Sequence, residues 1–368
     1  MSFSFGIEEE YFLVDAQTRA VTRRMSRDFF DAAKAVLEDK VASEFLQSQI
    51  EVVTAPHTDI TAARDELRTL RTTLGEIAAQ HGLSLMASGT HPTAVWERSR
   101  QSIGERYDSV MDDLQMIGRR NMLCGMHVHV ELPDPDQRID IMTRMLPHVP
   151  LFIALSASSP FWRSQPTGLK GYRLAAYDEL PRTGIPELFR TKAEFDSYID
   201  ALVKAGVIPD SSYIWWAIRP SFNHPTLELR APDVCTRLED TIAIAALYRA
   251  LARRLYHNPW QNWGMSVISR AVIVENKWRA QRYGVNGTFA RIEGDGSITV
   301  AEMLEQTIAD VSRDAEALGC LEEVLHCRRI IEHGTSADHQ IAIYDRCAEE
   351  PEKGLHAVNE WLVDMTLR

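Results

Sequence analysis

The sequence predicts an α+β fold built on a mainly antiparallel sheet. Three observations predict it. Strand-like segments recur with hairpin spacing among helices, without the strict βαβ alternation of a doubly wound sheet. After about residue 238 the chain reads almost wholly helical. Four strand segments each carry one apolar face and one ionisable face, which gives the sheet a core side and a chemical side.

The elements follow in order. Phe3 to Val14 is rich in aromatic and β-branched residues and reads as the first strand. Ser26 is an N-cap for a helix carrying Phe29, Phe30, Ala33, Val36 and Leu37 on one side. FLQSQIEVVT, residues 45–54, is the second strand. A long amphipathic helix with Leu67, Leu70, Leu74 and Ile77 as its stripe ends near Gly82. LSLMASGTHP, from Leu83, is strand then turn. A helix over roughly 103–120 turns Tyr107, Val110, Leu114 and Ile117 inward. CGMHVHVEL, from Cys124, is a strand, and a helix interrupted at Pro147 and Pro150 comes next. Residues 163–190 are loop-rich, and 213–231 form two strands turned at Asn223-His224-Pro225. In the helical tail, Thr299 and Glu302 make a capping box and Gly334 separates two helices.

The 368 residues are 45% hydrophobic and 25% charged, ordinary values for a soluble globular protein. The expectation is one catalytic domain over 1–368, strand-rich over 1–237 and helical over 238–368. A formal net charge of -12 argues against nucleic acid and anionic membrane as main partners. The five cysteines show no CxxC spacing, so free thiols in a reducing cytoplasm are expected. No signal peptide is visible, and VPLFIALSASSPFW is too short and serine-rich to span a bilayer.

Alternation sorts the ionisable residues. Glu8 and Glu10 share one face of the first strand, while Glu9 joins Ile7 and Tyr11 on the other and is expected to meet solvent. Gln49 and Glu51 oppose Ile50 and Val52; His127, His129 and Glu131 oppose Met126, Val128 and Val130; Glu228 and Arg230 oppose Leu227 and Leu229. A merely wetted face would mix in Lys, Thr and Ser. Crowded carboxylates resist ionising together, and oxygen-rich clusters of this kind suit hard divalent cations. Glu8 and Glu10, with Glu51, His127 and Glu228, are therefore expected to ligate metal. Glu44, seven residues before Glu51, would by itself be a surface charge. One of His127 and His129 could be purely structural. No P-loop, GxGxxG after a strand, HExxH or GxSxG occurs, so any nucleotide is held by magnesium on the acidic faces.

Phosphate and carboxylate substrates also need cations. Arg230 shares the face of Glu228. Arg219, in WWAIRPSFNHP, could reach the same cavity, and Arg182, in LPRTGIPELF, sits in a loop that could fold over a substrate. Lys277 lies in a basic cluster with Arg279 beside Glu275. Thr90 and His91 could face the site or serve a turn.

FGIEEEYFLVD, LQSQIEVVT, ASGTHP, CGMHVHVEL, LPRTGIPELF, LELRAPDVCTRLED and ENKWRAQRYG, in this order, resemble the carboxylate–amine ligases, also called type 2 glutamate–cysteine ligases. The resemblance runs from about residue 5 to 290. It implies a glutamine-synthetase-like catalytic fold, a curved sheet forming a funnel with helices outside. It implies ATP and Mg2+ or Mn2+ as cofactors, an amino-acid carboxylate and an amine as substrates, and a homodimer. Glu8, Glu10, Glu51, His127 and Glu228 are implied as metal ligands, Glu44 with them, and Arg230 as a phosphate or acyl-phosphate contact.

The expected reaction is ATP-dependent formation of a γ-glutamyl amide through an acyl phosphate, of the glutamate–cysteine ligase type. Two other readings use the same residues: a zinc-dependent amidohydrolase built on the His127/His129 pair with His224 or His257, and a non-catalytic protein binding a metal nucleotide or an amino acid.

Overall fold

The computed structural model describes residues 3–292 and 294–368. Seven strands form one antiparallel sheet: β1 Phe5–Asp15, β2 Val41–Ser43, β3 Gln49–Val53, β4 Leu83–Met86 and β5 Met126–Glu131 come first in the chain. A two-residue hairpin follows, β6 Phe161–Trp162 with β7 Gln165–Pro166. The sheet then resumes with β8 Ile218–Pro220 and β9 Thr226–Leu229, and a second small hairpin joins β10 Thr288–Ala290 to β11 Ser297–Thr299. The order is β2-β3-β1-β5-β9-β8, with β4 on the far half of β1. Every sheet ladder is antiparallel, as the hairpin spacing requires.

One face of this sheet is covered by helices. Ile60–Gln80 buries Leu67, Leu70 and Leu74, starts at the Asp59 cap and stops before Gly82, whose φ is +70°. Leu238–His257 is buried along most of its length and is tied to the sheet by a hydrogen bond that the Tyr248 hydroxyl donates to the Leu227 carbonyl. The predicted caps at Ser26 and Thr299 form. The stretch Pro135–Ser156 is long and apolar enough to cross a membrane, and it is 89% buried among the other elements. All five cysteines are free thiols.

Three local expectations are corrected. The helix over 103–120 is two helices, Glu105–Leu114 and Met116–Arg119, broken at Gln115 where φ is +51°. The strand expected over 45–54 is shorter, Gln49–Val53, with residues 45–48 leading into it outside the strand, whereas 163–190 is loop-rich as expected around the short helix Tyr172–Tyr177.

The third correction concerns Glu9, which does not meet solvent. It is fully buried on the helix side, where Arg71 donates from Nη2 at 2.6 Å and Nε at 2.8 Å, and the Thr241 hydroxyl donates at 2.6 Å. Tyr11 also bonds to it. Arg71 further donates to the carbonyls of Cys235, Thr236 and Thr366. A buried carboxylate needs such a partner, and the partner comes from a helix 62 residues away.

Candidate active site

β1 is the axis of the site. It is the longest strand, and it pairs with β3 on one side and β5 on the other, so its uncovered face meets theirs. Register sets the contacts. Glu10 stands directly opposite Glu51, Glu8 opposite His127, and His129 opposite Glu228. Glu228 in turn faces Arg219 on β8. Like charges directly across an antiparallel pair repel, so the Glu10–Glu51 pairing is costly in the absence of a counter-ion.

Ligand atoms converge in three overlapping triads, each with its atoms within 4.8 Å of one another: Glu8–His129–Glu228, Glu8–Glu51–His127 and Glu10–Glu44–Glu51. His127 Nδ1 lies 3.0 Å from Glu8 Oε2 and its Nε2 3.7 Å from Glu10 Oε1. His129 Nε2 lies 3.1 Å from Glu8 Oε1, and its Nδ1 2.9 Å from the Thr226 hydroxyl. The backbone N–H of Gly125 donates to Glu10 at 2.5 Å. The six residues expected to ligate metal are thus brought together, with Glu44 reaching them from the turn after β2.

Their proton affinities diverge for physical reasons. Burial, then the neighbouring carboxylates Glu8, Glu44 and Glu10, push Glu51 well up. Burial and Glu10 push Glu44 up to about 8. Burial works against charge on Glu8, yet its hydrogen bonds to His127 and His129 hold it well below the usual carboxylate range. Burial also opposes Glu228, and Arg230 and Arg219 overcome it and draw the carboxyl down. The histidines split. Burial and Arg230 lower His127, while Glu8 and Glu228 raise His129 against burial. A ring held neutral suits a ligand role, and hard cations suit the oxygen-rich remainder, so this donor set fits Mg2+ or Mn2+.

The cations are distributed unevenly. Arg219 donates to Glu228 from Nε at 2.7 Å and Nη2 at 3.2 Å, and also to the Ser212 and Ile214 carbonyls. Arg230 pairs with Glu228 and approaches the Tyr177 hydroxyl at 3.4 Å. Arg182 stacks on Trp215 at 5.2 Å, donates to the Tyr213 carbonyl and has φ of +60°. Its loop is pinned by hydrogen bonds from the N–H groups of Trp215 and Ala217. Lys277 is buried against Asp178. Thr90 is buried with its hydroxyl donating to the Phe161 carbonyl, and His91 bonds to the Arg19 carbonyl; both serve the turn. His257 packs on Phe3 and is not brought to the histidine pair, whereas His224 meets His129 edge-on at 6.1 Å.

Two clefts open on the acidic row. One, of about 300 Å3, reaches Glu8 and His129 and has His224, Pro225 and Pro56 in its walls. The other, of about 180 Å3, reaches Glu10 and Glu44 and is walled by Arg173, Tyr177, Arg230 and Trp215. Sequence reasoning missed Arg173 and Tyr177, which share a face at i, i+4 of the helix Tyr172–Tyr177. Arg173 is buried, donates to the carbonyls of Arg230, Ala231 and Pro232, and packs so close to Gly125 that a Cβ there would stand 2.1 Å from Nη2. Gly125 is required by that approach.

Known proteins share this architecture. The sequence is 55% identical over 365 residues to a protein of Bradyrhizobium sp. (strain ORS 278) provisionally named glutamate–cysteine ligase 2, covering 99% of this chain and 88% of the relative. A Rhodospirillum rubrum protein of the same provisional name is 43% identical over 347 residues, covering 93% and 89%. Among solved structures, glutamate–cysteine ligase from Francisella tularensis in complex with AMP superposes with a TM-score of 0.71, covering 99% of this chain and 90% of the other, at 13% identity. That likeness is one of fold: antiparallel sheet inside, helices outside, of the glutamine-synthetase-like kind. The sequence model of glutamate–cysteine ligase family 2 matches residues 4–358, and the chain belongs to that family.

Proposed function

We propose that this chain is an ATP-dependent ligase that joins an amino-acid carboxylate, the γ-carboxylate of glutamate, to an amine through an acyl phosphate. The observation that carries the reading is the Glu10–Glu51 opposition with its three convergent triads. Family membership supports the reaction class. The named activity of the Francisella ligase and the AMP in its complex support nucleotide use.

Glu8, Glu10, Glu44, Glu51, His127 and Glu228 would hold Mg2+ or Mn2+, which would neutralise phosphate charge and orient the transferred phosphoryl group. The cleft at Glu8 and His129 suits the nucleotide, because its ring and proline walls can take a base while the acidic row lies at its floor. The cleft at Glu10 suits the amino acid, because Arg173 and Arg230 supply its cations.

The chain's own groups then act by positioning and charge. Arg230 orients the donor carboxylate toward the γ-phosphorus and balances charge on the acyl phosphate. Arg173 holds the donor's other carboxylate. Tyr107, Val110 and Leu114 keep water from the activated carbonyl. Arg182 stiffens the cleft wall through Trp215, and Arg219 fixes Glu228.

The test is ADP production by purified protein with ATP, Mg2+ and glutamate, with hydroxylamine as trap. Donor-dependent ADP and an acyl hydroxamate are expected. Absence of both across a panel of amino-acid donors would remove the proposal.

A further inference from the structure

Five of the six residues expected to ligate metal stand on strands, where ladder register fixes them: Glu8 and Glu10 on β1, Glu51 on β3, His127 on β5 and Glu228 on β9. Glu44 does not. It follows Ser43, the last residue of β2, and belongs to the turn that leads to β3. Sheet pairing therefore does not hold it, yet its carboxylate completes the triad Glu10–Glu44–Glu51. Backbone groups in such a turn need partners from elsewhere.

The partners come from residues 100–107. The Gln47 N–H donates to the Arg100 carbonyl at 2.8 Å and the Ser102 N–H to the Phe45 carbonyl at 2.9 Å, so Leu46 and Gln101 form an extra antiparallel rung. Gln47 Nε2 donates to the Gln101 carbonyl at 2.8 Å. The buried Ser102 hydroxyl donates to the carbonyl of Glu44 itself. Tyr107 donates its hydroxyl to the Ser43 carbonyl at 2.8 Å, across 64 residues of sequence, and its ring meets Phe45 edge-on at 6.0 Å. The carbonyls of three successive residues, Ser43, Glu44 and Phe45, are thus all taken by one segment.

Tyr107 has a second contact surface. It sits in the first turn of the helix Glu105–Leu114, and with Val110 and Leu114 of that helix it lines the cleft at Glu10. One side chain therefore meets the cleft and, through its hydroxyl, the turn that carries Glu44. A group that supports a metal ligand from outside sets how well that ligand is aimed.

Resting on the metal-binding reading above, we infer that Tyr107 is a positioning residue: its hydroxyl sets the Glu44 turn, and its ring ties occupancy of the amino-acid cleft to cation affinity at the Glu10–Glu44–Glu51 triad. A ligand shifts a conformational equilibrium only by contacting one state better. An amino acid in the cleft packs on Tyr107 while the helix is seated against the turn, and a divalent cation that draws Glu44 toward Glu10 and Glu51 favours the same seat. Each ligand then tightens the other by the same factor. The five ligands that stand on strands do not depend on this support.

The experiment is a double-mutant cycle on the full chain, with Mn2+ binding read by electron paramagnetic resonance of the free ion. Tyr107→Phe keeps the ring and removes the hydroxyl. It should weaken one class of Mn2+ site about tenfold, the low end for loss of a group that supports a ligand. Ser102→Ala, which frees the Glu44 carbonyl, should act in the same direction. In a Glu44→Gln background, Tyr107→Phe should change Mn2+ affinity by less than about twofold, because the group it positions no longer binds. A merely structural role would weaken binding equally in both backgrounds. Saturating glutamate should tighten Mn2+ binding by the wild type, and Tyr107→Phe should cut that factor by about threefold or more. Glutamate acting on the cation without Tyr107 would leave the factor unchanged. Equal loss in both backgrounds, no loss in either, or an unchanged glutamate factor would overturn this inference and leave the metal site standing. No Mn2+ binding by the wild type, or full affinity in Glu44→Gln alone, would overturn the placement of a cation on Glu44 together with it.

Discussion

Glu9, fully buried, and Glu51, half-buried, stand on neighbouring strands, and they should respond in opposite ways to the same change. Glu9→Gln removes the charge from a fully buried pair in which Arg71 donates twice, at 2.6 and 2.8 Å, and leaves the guanidinium beside an amide. Breaking a buried ion pair by removing one partner costs about 3–5 kcal/mol. With an unfolding entropy of about 2.1 cal/mol/K per residue, a chain of this length loses about 4–6 °C of Tm. Glu51→Gln should differ. Burial and three carboxylates already favour the protonated acid, which an amide resembles in shape and charge. Metal-free Tm should stay within about 1 °C. What Glu51→Gln should lose is the upshift on adding Mg2+ and ATP, worth about 3 °C at a hundredfold excess over Kd. Thermal unfolding by circular dichroism, with and without Mg2+ and ATP, measures all four numbers. A Glu9→Gln protein as stable as wild type, or a Glu51→Gln protein that keeps the upshift, would refute the division of the sheet into a structural and a chemical face.

Other consequences follow from the same geometry. Glu44 is pushed up to about 8, so at pH 7 the metal-free protein carries a proton there that a bound cation must displace. Calorimetry in buffers of different ionisation enthalpy should register proton release on Mg2+ binding, with affinity rising from pH 6 to 8; a pH-independent affinity would contradict this. The sign for folding is the reverse. A carboxyl raised in the folded state binds more protons than the unfolded chain, so its contribution to metal-free stability falls as pH rises from 4.5 toward 8. Gly125→Ala would put a Cβ 2.1 Å from Arg173 Nη2, so Arg173 must move. With the fold intact by circular dichroism, KM for the donor amino acid should rise at least tenfold, about 1.4 kcal/mol of lost binding; an unchanged KM would show that Arg173 does not hold the donor.

The chemical face was legible because a strand's period of two is unforgiving. Glu8, Glu10, Glu51, His127 and Glu228 all fall on the side opposite a run of apolar residues, and register then brings them together. Glu9 was misread for the same reason that it matters. Alternation correctly put it with Ile7 and Tyr11, but only tertiary structure supplies Arg71 and Thr241 to keep a charge there. Arg173 and Tyr177 were missed because their helix is six residues long and lies among turns. The i, i+4 spacing in GYRLAAY after Gly171 was the available signal. Of the inward stripe, Tyr107, Val110 and Leu114 do share one helix face and Ile117 falls on the next helix, and three of the residues the stripe meets across the cleft, Arg173, Tyr177 and Trp215, come from parts of the chain more than fifty residues away. Sequence distance of that kind hides a ligand cleft until the sheet is assembled.

The most direct measurement is anomalous diffraction from crystals grown with Mn2+ and a non-hydrolysable ATP analogue. The account predicts manganese peaks within direct coordination distance of carboxylate oxygens of Glu10 and Glu51 and of Glu8 and Glu228, with the triphosphate leading into them from the His224 side. Manganese bound elsewhere, with these carboxylates still paired only to histidine and arginine, would contradict it.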